Sequence, residues 1–181
     1  MKRLVVTLFL VNLAATGLAQ ETYTLAETSA LTIDGSSTVH DWTVTANQMQ
    51  GTLQASPNSL NSVDFSVRVA DIKSDRAAAM DKKMHEALKM GEHPKVLFVA
   101  KEVDVPLGGR QDLKGTLTIA GVEKEVSIPV NITEADGKLK ITGNQKILLK
   151  EYGIEPPTAM FGSIVVGDEV TVTFDLVFSK S

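Results

Sequence analysis

The sequence contains no cysteine. Disulfides, thiol nucleophiles, zinc-thiolate sites and lipid attachment through an N-terminal cysteine are excluded in one step. Aromatic residues make up only 5% of the chain and Trp42 is the only tryptophan, too few for the aromatic girdles of an outer-membrane barrel. Positive charge is in deficit, with 18 Lys and Arg against 22 Asp and Glu. That balance argues against nucleic acid as a partner, because a phosphate backbone calls for a basic surface. No apolar run is long enough to cross a membrane comfortably. The run from Leu4 to Leu13 follows Lys2 and Arg3 and leads to Gly17 and Ala19 before Gln20, which reads as a secretory signal peptide over residues 1–19. The remaining residues, 20–181, are expected to form one domain without a transmembrane segment, exported to the periplasm of a Gram-negative cell or otherwise secreted.

Catalytic signatures are absent as well. The chain has no glycine-rich phosphate loop, no Gly-x-Ser-x-Gly elbow and no His-Glu-x-x-His. Its three histidines, His40, His85 and His93, have no carboxylate at a diagnostic spacing, so neither a metal nor another cofactor is expected. His40 and Asp41 are adjacent and point to opposite faces of a strand, which keeps them from acting on one atom. His40 and Trp42 share a face and could stand at a pocket mouth, or His40 could be an ordinary structural histidine.

What the chain does have is alternation. Val63, Phe65, Val67 and Val69 alternate with polar residues, and Val170, Val172, Phe174, Leu176 and Phe178 do the same near the C-terminus. Lys95 to Val105 reads as one strand, apolar on both faces from Val96 to Ala100, and Pro57 to Asn61 as a loop. Ala120-Gly121 and Asp136-Gly137 are hairpin turns, and Pro129 argues for an edge, a bulge or an outward position. Lys150 to Gly162, with Pro156-Pro157, breaks the pattern and leaves Tyr152, Met160 and Phe161 to pack on a rim.

One helix interrupts the strands, over Ser74 to Pro94. Ala77, Met80, Met84, Ala87 and Leu88 line up on one face. Asp81, Lys82, His85, Glu86 and Lys89 lie on the solvent face, with Asp81 and His85, and Lys82 and Glu86, four residues apart. Ser74 or Asp75 serves as N-cap, Gly91 as the left-handed exit and Pro94 as the stop. The fold expected is mainly β, a single antiparallel barrel of about eight strands with this amphipathic helix inserted between strands.

Several blocks carry a family resemblance: Gly35-Ser-Ser-Thr-Val-His-Asp-Trp42, His93-Pro-Lys-Val-Leu-Phe98, Gly115-Thr-Leu-Thr-Ile-Ala-Gly121, Tyr152-Gly-Ile154 and Gly167-Asp-Glu-Val170. In this order they resemble the YceI-like, polyisoprenoid-binding family of exported bacterial proteins. The resemblance implies a lipocalin-like barrel with an apolar tunnel for an isoprenoid chain and no catalytic centre. Candidate tunnel residues are Trp42, Phe65, Val67 and Val69, then Met80, Met84 and Leu88 of the helix. Leu97, Val99, Leu117, Ile119, Val130, Phe174 and Leu176 complete the set, with His40 as a polar group at the mouth. Two rivals remain open: a filled-core β-domain acting as a surface or stress-related interaction module, and a hydrolase or metal enzyme using His40, Asp41 or His93.

Overall fold

The computed structural model describes residues 20–74 and 78–181. The signal-peptide reading and the Asp75 cap therefore lie outside the described residues. The elements in chain order are β1 (Glu21–Leu25), β2 (Ala30–Ser37), β3 (Trp42–Ala46), β4 (Met49–Ser56), β5 (Ser59–Arg68) and β6 (Ile72–Ser74). Helix α1 (Ala78–Ala87) follows, then β7 (Lys95–Ala100), β8 (Val105–Pro106), β9 (Gly109–Ile119), β10 (Val122–Ala135), β11 (Lys138–Leu148), β12 (Thr158–Ala159) and β13 (Ile164–Lys180).

Eight antiparallel strands run β1-β4-β5-β7-β9-β10-β11-β13, and β13 pairs back onto β1 to close a barrel. Closure gives every strand of this ring two partners, so it exposes no open edge. The alternation read from the sequence sets which residues point inward. On β5 these are Val63, Phe65 and Val67, on β9 Leu113, Leu117 and Ile119, and on β13 Val170, Leu176 and Phe178, all buried. The 17-residue β13 is shared between two neighbours: its first part pairs with β2, from which β3 and β6 continue the wall, while its last residues pair with β1.

The hairpin turns form as expected. Ala120 and Gly121 have φ of 50° and 81°, and Asp136 and Gly137 52° and 69°, the paired positive values that two-residue turns between twisted strands require. Pro129 faces solvent on a strand that is internal to the sheet, and the β10–β11 ladder ends at Val130 opposite Gly143. A residue with no N–H cannot carry that ladder further. Two expected boundaries move. β5 already begins at Ser59, which reduces the loop to Pro57-Asn58, and the strand from Lys95 stops at Ala100, with Glu102 at φ 53° before β8.

The helix differs from its expectation at its C-terminal end and on one face. Its left-handed exit is Lys89, at φ 54°, and not Gly91. The Met90 amide donates to the His85 carbonyl at 2.9 Å and the Lys89 amide to Glu86 at 3.0 Å, which is a Schellman ending with lysine in the place glycine usually takes. A left-handed conformation is costly for a residue with a Cβ. Lys89→Gly is accordingly expected to raise the unfolding free energy by about 0.5–1 kcal/mol, measurable as a higher midpoint in urea. His85 is not on the solvent face. It is half-buried, and its Nε2 lies 2.9 Å from the Ile72 carbonyl of β6. Asp81 does not pair with it; the Asp81 carboxylate accepts from the Ser74 amide at 2.8 Å. These two contacts pin the helix to β6. Lys82 and Glu86 do meet, at 3.9 Å, on the exposed side, where such a pair contributes little.

Candidate functional site: an apolar cavity along the barrel axis

Inside the barrel is a cavity of about 380 Å³, within the range of small-molecule sites. It reaches from Phe178, beside the β1–β13 closure, to Met80, Met84 and Leu88 at α1. β13 follows it for most of this distance, since both Val166 and Phe178 line it. The cavity therefore extends along the barrel from the strand closure towards the helix.

The wall is aliphatic and aromatic. Val44, Ile33 and Val172 sit side by side on β3, β2 and β13, and Leu117 and Phe98 face each other on β9 and β7. Polar side chains gather at the helix end, where Ser37, His40, Ser74, Asp81, Lys83 and Thr158 reach the cavity. Gln145 is a further polar group, on β11 opposite Val172. Lys83 of α1 donates from Nζ to the Thr158 carbonyl at 2.7 Å. This bond joins the helix to β12 across the mouth.

Of the fourteen residues singled out for the tunnel, twelve border the cavity, as does His40; Val69 and Val99 do not. Val69 lies in a single 3-10 turn, Val69–Asp71, where the two-residue alternation of β5 has ended. It is buried, but its amide donates to the Pro94 carbonyl at 2.9 Å and it stands apart from the main core cluster. Val99 is on the wrong face. β7 pairs with β5 so that Val96, Phe98 and Ala100 stand opposite the inward-facing Val67, Phe65 and Val63, leaving Leu97 and Val99 on the outer face. Leu97 still touches the cavity boundary. Because five consecutive residues of β7 are apolar, alternation could not select the face, and Phe98 and Val96 were missed. Further wall residues outside the fourteen come from several strands, among them Ile33 of β2, Val44 of β3, Leu113 of β9, Ile141 and Ile147 of β11, and Val172 and Phe178 of β13.

Two of the sequence blocks that carry the family resemblance contain glycines packed beneath a ring. Gly35 is opposite Trp42 on neighbouring strands, and any Cβ there would overlap the indole ring. The ring lies flat over the glycine, held by its Nε1 donating to the Ser36 carbonyl at 3.0 Å. His93 is used the same way: its imidazole covers Gly121 in the β9–β10 turn. His40 is exposed, with Nδ1 3.0 Å from the Asp41 carbonyl. Among the described residues, no group of three or more His, Asp or Glu is placed to hold a metal ion. Nor is any described helix long and apolar enough to cross a membrane.

Tyr152, expected on the rim, is instead 3% exposed. Burial pushes its phenol above the ordinary range, and the neighbouring Glu151 adds to the shift. Lys124 lies 5.6 Å from the centre of its ring and 3.0 Å from Glu151. The turn after β11 is thereby fastened to β10, alongside the stretch where the two strands no longer pair. Met160 and Phe161 do not pack on the rim either. They are 69% and 111% exposed.

No curated protein matches the chain. Among solved structures, BcnA of Burkholderia cenocepacia aligns with a TM-score of 0.70 at 19% identity, over 82% of this chain and 95% of that one. A polyisoprenoid binding domain from Saccharophagus degradans, described as implicated in plant cell wall breakdown, aligns with a TM-score of 0.68 at 17% identity, over 88% and 98%. The YCEI protein of Campylobacter jejuni follows at 0.59 and 18%, over 74% and 81%. These likenesses establish the barrel fold. The YceI-like domain profile matches residues 23–178, and with that span the chain belongs to the YceI-like domain family.

Proposed function

We propose that the protein is an exported, non-catalytic binding protein that holds a long apolar lipid of the isoprenoid type in the barrel. The observation that carries this reading is the extent and chemistry of the cavity: it runs beside β13 from Phe178 to α1 and is lined by aliphatic and aromatic side chains, with polar groups at Gln145 and near α1. A polyisoprenoid needs such a wall. Removing its surface from water is favourable by about 25 cal/mol per Å², and an aliphatic channel provides this without requiring hydrogen bonds. The hydrocarbon tail would lie towards Phe178, and the head group would stay among Ser37, His40 and Lys83 at the helix end. The likeness to the Saccharophagus degradans domain, described as polyisoprenoid binding, supports the same ligand class. A filled-core interaction module is the weaker reading, because a packed barrel would not leave 380 Å³ along its axis.

Native mass spectrometry of the protein purified from its host should find a bound lipid of isoprenoid composition. Protein that is consistently empty, and that also rejects an added polyprenol, would overturn the proposal.

A further inference from the structure

The mouth of the cavity is surrounded by large apolar side chains that the fold holds in water. Phe161 and Met160 are 111% and 69% exposed, Val39 64%, Val165 42% and Met80 41%. They come from three separate segments that meet only here. Met80 itself lines the cavity, Val39 is next to His40, which lines it, and Val165 faces outward between Ile164 and Val166, which line it. The exposed side chains thus sit on the segments that form the mouth.

These tips are also held in place. The Thr38 amide donates to the Val165 carbonyl at 3.0 Å, the Val165 amide to Thr38 Oγ1 at 3.2 Å, and Thr38 Oγ1 to the Ser163 carbonyl at 3.3 Å. Met160 and Phe161 both have left-handed backbones, at φ 50° and 56°, a conformation that is strained for such residues. The fold accepts that strain and still presents both side chains outward. Residues 158–167, which carry Met160, Phe161 and Val165, contain no charge; the charged groups of this end, Asp81 and Lys83, belong to α1.

We propose that this rim is a docking surface for a lipid bilayer, into which Phe161, Met160 and Val39 insert so that cargo passes between membrane and barrel without crossing water. The occupant follows from the cargo chemistry, and in that respect the inference rests on the carrier reading: a chain too apolar to travel through water must leave and enter at a membrane. Seating the rim in the interface would bury the exposed side chains and place the cavity mouth at the lipid. Because the anchors are uncharged, binding should be insensitive to salt.

The test is co-flotation of the purified protein with phosphatidylcholine vesicles, at low salt and at 0.5 M salt. Wild-type protein should float equally in both. The variant Met160→Asn with Phe161→Asn keeps residues that tolerate the left-handed backbone and should lose about tenfold or more in vesicle affinity. Phe161→Leu should retain most of it. A thermal melt checks that each variant is folded, and Val39→Ser with Val165→Ser gives an independent reading of the same rim. Wild type that fails to float, a double variant that floats as well as wild type, or a rim-dependent dimer in place of vesicle binding would each overturn the proposal. Polyprenol loading measured in the same samples separates the two readings: loaded protein that does not float refutes the docking surface alone, and floating protein that never loads refutes the carrier alone.

Discussion

A Val44→Trp, Val172→Trp double variant will remain folded and bind polyprenol at least about a hundredfold more weakly, a loss of about 3 kcal/mol. Both residues line the cavity, on β3 and β13, on either side of Ile33. Two indoles projecting from that wall would take up much of the cavity between β3 and β13. Overpacking is tolerated best where there is empty space to receive the added atoms, and here the channel provides it. The barrel should therefore survive the substitution that excludes its cargo. Polyprenol titration followed by fluorescence measures the loss, with circular dichroism and a melt as controls. A folded double variant that binds as well as wild type would show that lipid does not occupy this channel.

Phe178→Ala has the largest expected effect on stability, about 3–5 kcal/mol. Phe178 is 0% exposed. It stands in register with Leu25 of β1 and with Leu139 of β11, and its ring reaches across to Gly51 of β4, which has no Cβ to obstruct it. One side chain thus packs at the point where the ring of strands closes. Its removal would leave a void that joins the existing cavity, which Phe178 already lines. Urea denaturation should show a much lower midpoint with little change in slope. A loss under about 1 kcal/mol would mean that closure depends on the backbone ladder and not on this ring.

How much of this was legible beforehand follows from which signals are local. Alternation on β5 and β13 revealed the inward faces because polar residues separate the apolar ones, whereas the unbroken apolar run of β7 concealed its face until pairing with β5 was known. The spacing of Met80, Met84, Ala87 and Leu88 marked the helix and its inner face. The role of His85 was hidden, since its partner is the Ile72 carbonyl, thirteen residues away on another element. The exit at Lys89 was hidden for the opposite reason: a glycine two residues later offered a better local candidate, and tertiary placement of the chain overrode it. Gly35 and Gly121 could be read as turn or strand glycines, but not as seats for Trp42 and His93. Such pairings join distant parts of the chain and leave no periodic trace. The cavity's position was legible only in part, because the sequence that fills a core and the sequence that lines a channel use the same residues.

The double pairing of β13 bears on how the molecule comes into being. Tyr23 aligns with Lys180, and Val170 with Gly35, so β1 and β2, which pair early with β4 and β3, find their second partner only in the final seventeen-residue strand. Until those residues have been synthesised, β1 and β2 lack the neighbour that joins them into the ring, and the interior stays open to water. Contacts so distant in sequence make closure slow, on the millisecond-to-second scale of β-rich domains. The apolar cavity is therefore the last part of the protein to exist, and a chain cut short before β13 would be left as an uncurled sheet with its apolar face unprotected.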